Sequence, residues 1–281
     1  RAYKELGEWL ETPSYSTDKV VEALEGVGEE AAFFMVDSLA RVEVEGDRAE
    51  EYRQAAIKLF DRFVRRYPES QFASSALSTL ASLHRTAGEL EQAVEAYRRL
   101  SEAYPTSVAW NKARFAMVKC LVDMERMAWA KQIVQQMVDS IGTYPVDQLV
   151  RAGLYMDDSG FSDVAVEVLV PAVAAIEEAG EFEGRSALEQ RALLGLAGSL
   201  LAEGDSEGAV RYATRLVERY PKSASFYDAR FILGRAHRER GRIEEAITAL
   251  TDVFTRASDQ QLIDRATIEL ARIQMQAGRT K

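Results

Sequence analysis

The sequence predicts an all-α fold, a right-handed solenoid of helical hairpins running as a single array through residues 1–281. Three observations carry this. Glycines recur between paired helical patterns: Gly88, Gly204, Gly241 and Gly278 each follow an amphipathic run, and the last two intervals are both 37 residues. A fixed period of that size marks helical units that cannot bury their apolar stripes alone and therefore stack. Apolar and small residues also recur at helical spacing, as at Leu77, Leu80, Ala81 and His84, which share one helix face. Finally, Tyr-Pro-x-Ser occurs at residues 67–70, 104–107 and 220–223. Each proline should end a helix, and each serine can cap the next.

Taken in order, Ala2, Leu6 and Trp9 before Pro13 read as the second helix of a hairpin. Between Pro13 and Pro68 lie three helical patterns instead of two, at 18–24, 29–44 and 48–66. Residues 66–107 form the clearest unit: a first helix through Leu77–Leu80–Ala81–His84, a turn at Gly88, and a second helix through Ala93, Tyr97 and Leu100, closed by Pro105. Two weaker units follow, one carried by Met117, Val118, Leu121, Ala130 and Val134, the other by Leu149, Gly153, Met156, Gly160, Ala165 and Leu169. Gly160 to Gly204 is 44 residues, and the surplus falls near 177–189, where the solenoid bends or divides into subdomains. Pro171, just before, should kink or break its helix. Regular spacing returns with Leu193, Leu196, Ala197, Leu200, Ala209, Ala213 and Pro221, then Leu233, Gly234, His237, Ala246 and Leu250. Residues 264–277 read as a first helix ending before Gly278. With both ends cut mid-hairpin, the chain reads as an excised segment of a longer array.

These residues resemble the tetratricopeptide repeat family, whose pattern is W-x-x-L-G-x-x-Y, then A-x-x-x-F, then P. Leu77 stands in the Trp slot, Leu80 and Ala81 in the Leu-Gly pair, and His84 in the Tyr slot. Ala93, Tyr97 and Pro105 complete the pattern. No unit has the Trp, and several lack the proline. The resemblance implies a superhelix of about six units whose first helices line a concave, peptide-binding surface. The Tyr-Pro-x-Ser phrases are similar to those of bacterial envelope proteins, the Bam-complex lipoprotein and the cell-division coordinator found with Tol–Pal. This implies a periplasmic or envelope location, with the cytoplasm as the alternative.

Composition narrows the function. A net charge of −10 over 281 residues argues against a nucleic-acid binder, which needs a basic footprint. The most apolar stretch, 164–176, is too short to enter a membrane as a span and contains Pro171. One cysteine, Cys120, excludes an internal disulfide framework and a multi-cysteine metal site. It reads as a structural thiol, because a nucleophile needs a base within reach. The two histidines, His84 and His237, occupy the same packing slot of their units. Acid pairs such as Glu177–Glu178 and Glu244–Glu245 read as solvated helix ends. The segment 25–30, EGVGEE, follows a helix and lacks the third glycine of a phosphate cradle. The sequence therefore predicts no catalytic residue, no metal site and no cofactor.

On each first helix, the stripe opposite its partner helix falls at i, i+3, i+7. It comprises Ser75, Ser78, Ser82; Lys112, Phe115, Lys119; Asp147, Val150, Leu154; Arg191, Leu194, Gly198; Asp228, Phe231, Arg235; and Arg265, Ile268, Arg272. Six of these are basic and two acidic, against the sign of the whole chain. Such a surface suits a protein or an acidic or carboxylate-ended peptide with apolar anchors. Alternatively, the cations only solvate a helix face with their stems laid on apolar surface. The sequence thus predicts a non-catalytic interaction scaffold for envelope assembly. Self-association, or recruitment for a multidomain enzyme, are the alternatives.

Overall fold

The computed structural model describes residues 28–40, 47–142 and 144–279. The helices expected at 2–9 and 18–24 lie outside them, as does 41–46, the tail of the pattern at 29–44. The helices are α1 (Glu29–Ala40), α2 (Asp47–Arg66), α3 (Ala73–Thr86), α4 (Leu90–Ala103), α5 (Val108–Asp123), α6 (Met127–Asp139), α7 (Val146–Asp158), α8 (Ser162–Glu178), α9 (Arg185–Ala202), α10 (Ser206–Arg219), α11 (Phe226–Glu239), α12 (Ile243–Arg256) and α13 (Gln260–Arg279). No strand occurs among the described residues. The chain is an all-α helical solenoid.

It divides into two compact units, one through Ile133 and one from Val134, so the division falls within α6. In the first, α1 packs on α2, α2 on α3, α3 on α4 and α4 on α5. In addition α1 packs on α3, and α3 on α5. In the second, each helix from α7 to α13 packs on the next, and α7 on α9, α9 on α11 and α11 on α13. The odd-numbered helices are therefore the first helices of hairpins, in contact with the first helix of the next hairpin. By this pattern α1 and the 20-residue α2 form a hairpin whose second helix is lengthened.

Among the described residues, each hairpin from α3–α4 onward reverses over one left-handed residue. Gly88, Gly160, Gly204 and Gly241 have φ of 76°, 85°, 84° and 71°. The residue after each donates its N–H back to the last turn of the first helix, as Glu89 N does to His84 O (2.9 Å) and Arg242 N to His237 O (2.9 Å). The hairpin α5–α6 makes the same reversal without glycine: Glu125 has φ 58°, and Arg126 N donates to Leu121 O at 2.8 Å. The buried positions of its two helices, Met117, Val118, Leu121, Ala130 and Val134, match those of the other hairpins.

Within a hairpin the closest approach pairs a small first-helix residue with one 16 positions on. A Cβ on Gly153 would stand 2.6 Å from Leu169 Cγ, and one on Gly234 2.5 Å from Leu250 Cγ. Ala81 and Tyr97, both buried, hold the same positions in α3–α4.

Three expectations need correcting. The 44-residue interval is not a stretched connection. Helix α8 has 17 residues and α9 has 18, against 14 in each of α10 and α11, and these longer helices account for the whole excess. The segment 177–189 lies inside the second unit, where α8 packs directly on α9. Pro171 does not break α8, which runs on to Glu178. The carbonyl it leaves without a helical donor belongs to Glu167, an exposed residue open to water. Lastly, α13 continues through Gly278, where the sequence places a turn.

The Tyr-Pro-x-Ser prolines do follow helix ends, at Arg66, Ala103 and Arg219. Only Ser107 caps a helix, accepting from Trp110 N at 3.0 Å. Ser70 and Ser223 accept instead from the N–H two residues on, and their hydroxyls donate back to Glu29 (2.6 Å) and Gln190 (2.5 Å).

A left-handed residue bearing a side chain carries a strain that glycine does not. Glu125→Gly should therefore raise the unfolding free energy by about 1 kcal/mol, and Gly204→Ala should lower it by about as much. Urea denaturation measures both. An unchanged midpoint for Glu125→Gly would remove the assignment of its strain.

Candidate functional site

The chemistry-bearing side chains are occupied or shielded. Cys120 is fully buried on α5, and burial pushes its thiol up to about 11, so the reactive thiolate is suppressed. His84 Nδ1 lies 2.6 Å from Glu89, whose carboxyl that hydrogen bond holds below its usual range. His237 is half-buried, with no hydrogen-bond partner for its Nδ1. Burial lowers its pKa, aided by Arg242 and Arg240 and opposed by Glu245. No group of three His, Cys, Asp or Glu side chains among the described residues could hold a metal ion.

That leaves the first-helix faces, taken here within each unit. In the first unit, α3 contributes Ser75, exposed, with Ser78 and Ser82 half-buried. On α5, Lys112 is exposed, and Phe115 and Lys119 are half-buried.

The second unit is more differentiated. Slots recur between its first helices: the residue just after the close-approach position of one helix meets the residue two before that position on the next. Leu154 fills the space beside Gly195, where a Cβ would stand 2.2 Å from Leu154 Cδ2. Gly198 in turn faces Ile232. Leu154 is thus half-buried in a helix contact. Phe231 is 4% exposed and packs in a core cluster with Ala246, Leu250, Val253, Leu262 and Ala266. It is not presented to a partner. The Arg265 guanidinium carbon lies 4.5 Å from the centre of its ring. Asp228 is pushed up by burial and by Asp259, with Arg265 opposing.

The cations on this face differ in their engagement. Arg272 is bound to Glu269 at 2.7 Å and Arg265 lies on Phe231. Arg191 is exposed, and neither it nor Arg235 has an ion-pair or hydrogen-bond partner among the described residues. Arg235 is half-buried, and its Nε is shielded from water with no acceptor. On α13 the residue in the slot of Gly195 and Ile232 is Glu269, which is ion-paired with Arg238 (3.2 Å) and Arg272 (2.7 Å), while its buried Oε2 has no hydrogen-bond donor. Ile268 is exposed beside these cations.

A buried junction that the sequence reading overlooks lies near the start of α9. Glu189 is 0% exposed, yet accepts hydrogen bonds from Arg215 (2.9 Å), Arg219 (2.8 Å) and Tyr220 (2.9 Å). Arg215 also pairs with Glu177 of α8, so the cluster ties three helices. The available signal was positional: Glu189 occupies a slot filled by Ala73 in α3, Trp110 in α5 and Phe226 in α11.

The sequence matches the family model described as Tetratricopeptide repeat over residues 48–108, 158–224 and 194–261. No curated protein matches it. Among solved structures, the chain is similar to YrrB, described as a TPR protein with an unusual peptide-binding site, with a TM-score of 0.52 and 19% identity over 74% of this chain and 97% of that one. It is also similar to a tetratricopeptide repeat protein from Parabacteroides merdae, with a TM-score of 0.49 and 13% identity over 88% and 92% of the two chains.

Two outcomes test the electrostatics. Glu189→Gln leaves Arg215 and Arg219 short of their buried counter-charge and should cost about 3 kcal/mol in urea denaturation. A loss no larger than that of an exposed substitution would show the junction to be inert. For His237, the folded pKa lies below the ordinary 6.5. As pH falls through that value the unfolded chain takes up a proton that the folded chain resists, so stability drops, while above it His237 contributes nothing. His237→Phe should lose less stability than the native protein between pH 6.5 and the lower folded pKa. Parallel pH profiles would contradict this.

Proposed function

The chain belongs to the tetratricopeptide repeat family, and from that premise we propose that it is a non-catalytic scaffold that holds an acidic or carboxylate-ended peptide segment of another protein. The observation that carries the reading is the pair of unengaged cations, Arg191 and Arg235, on the first-helix face of the second unit. Arg191 presents its guanidinium to solvent, where an incoming carboxylate can accept charge-assisted hydrogen bonds from it. Ile268, exposed nearby on α13, offers an apolar contact. That YrrB is described as having a peptide-binding site agrees with this use of the fold. The Tyr-Pro-x-Ser phrases support a role in assembly at a bacterial envelope.

An array of peptides graded in acidic content and C-terminal carboxylate provides the probe. Acidic peptides should be captured, and Arg191→Glu with Arg235→Glu should weaken capture by about tenfold or more. Equal capture by the double variant would remove the proposed site. The same bait, run against envelope and cytosolic fractions separately, checks the compartment, and partners drawn only from the cytosol would remove the envelope role.

A further inference from the structure

The proposed peptide face holds a negative charge that a purely acidic ligand does not use. Asp228 lies in the first turn of α11 and is half-buried. An acid there suits the helix dipole, but the dipole acts as well on an exposed side chain. Asp163 of α8, Glu207 of α10 and Glu244 of α12 hold first-turn positions, and all three are exposed. Asp147 of α7 is half-buried like Asp228, and Arg151 lies 3.9 Å from its carboxylate. Asp228 has no ion pair and no hydrogen bond to another side chain among the described residues. The charges that act on it are Asp259 and Arg265 of α13 and the loop before it, and Arg265 lies over the Phe231 ring instead of pairing with it. Burial, then Asp259, push its carboxyl above the usual range. The ionised form is short of solvation, which an arriving cation supplies.

The register of the first helices places Asp228 between the two unengaged arginines. A Cβ on Gly198 of α9 would stand 4.0 Å from Ile232 of α11, and Arg265 of α13 lies over Phe231 of α11, so the same sequence offset joins both helix pairs. By that offset Arg191 stands level with Ser225, one turn before Asp228. Packed helices lie about 8–10 Å apart, which puts Arg191 roughly 10 Å from Asp228 across the face. Arg235 follows Asp228 by two turns on the same side of α11, about 10 Å along it. Leu194 and Ile232, both half-buried, hold intervening positions. An extended chain advances about 3.3 Å per residue, so three residues cover each gap. The face therefore reads positive, negative, positive in steps of three extended residues, and charge complementarity narrows the ligand beyond mere acidity. Resting on the peptide-binding reading of this face, we propose that the segment it holds carries a basic residue between two acidic ones, each three positions away, with Asp228 receiving the basic side chain.

Titration calorimetry of the 281-residue protein against three capped peptides provides the test. The first is Glu-Ser-Ser-Lys-Ser-Ser-Glu. The second has glutamate at the centre, and the third, Lys-Glu-Ser-Ser-Ser-Ser-Glu, keeps the composition of the first and moves its lysine. The native protein should bind the first about tenfold more tightly than the other two. Asp228→Asn should abolish that preference, and Asp228→Lys should reverse it toward the central glutamate. A reversed preference cannot come from a folding defect, which would lose every peptide, and circular dichroism verifies helicity. Equal affinity of the native protein for all three, or an unchanged preference in Asp228→Lys, would overturn the proposal. If the native protein binds without preference while Arg191→Glu with Arg235→Glu weakens binding, the peptide-binding reading stands and the role of Asp228 falls. If it binds none of the three, both fall.

Discussion

Everything in this chain depends on how closely the two helices of a hairpin approach. Where Gly153 faces Leu169 and Gly234 faces Leu250, the first helix lacks even a methyl group at the crossing, and the leucine occupies that space. The contact fixes which way each helix is rotated. One side of the first helix is committed to its partner, a second to the next hairpin, and the remainder is left to solvent. From α3–α4 onward, the left-handed residue at the reversal holds the register by tying the start of the second helix to the last turn of the first. Surface chemistry follows from these two constraints. A residue such as Arg235 is available because its helix is already locked from two other sides.

The hairpins were legible in the sequence because it carries glycine at the reversals and small and apolar residues at helical spacing along each helix. Legibility failed where the physics was met by other means. Glu125 makes the same reversal as its glycine counterparts at a cost in strain, so α5–α6 looks weaker in sequence than it is in structure. Pro171 is tolerated because the carbonyl it frees belongs to an exposed residue. The excess before Gly204 is helix and not loop, because neither Pro171 in α8 nor Gly195 and Gly198 in α9 interrupts its helix.

The candidate surface was only half legible. Helical periodicity placed Arg191 and Arg235 on the first-helix stripe, but could not distinguish an exposed apolar residue from one covered by a neighbouring hairpin. Phe231 and Ile268 hold equivalent positions, and one is buried while the other is half in water. The difference lies in what packs next to each, which no single-helix pattern encodes. Glu189 escaped for the related reason that its partners, Arg215 and Arg219, come from another helix and lie 26 and 30 residues away.

The chain's charge of −10 does not conflict with an anionic partner on this face. Within the second unit the first helices carry Arg191, Arg235, Arg265 and Arg272 against Asp147 and Asp228 on their stripe, whereas Glu167, Glu178, Glu207, Glu218, Glu244 and Glu245 are exposed on the second helices. The two sets are separated by about one helix diameter, roughly 10 Å. At physiological salt the screening length is about 8 Å, so the acids act weakly across that gap, while a carboxylate in contact with Arg235 is shielded from the same screening. The proposed preference for a negative charge rests on the unpaired guanidinium groups of Arg191 and Arg235 and not on the net charge of the chain.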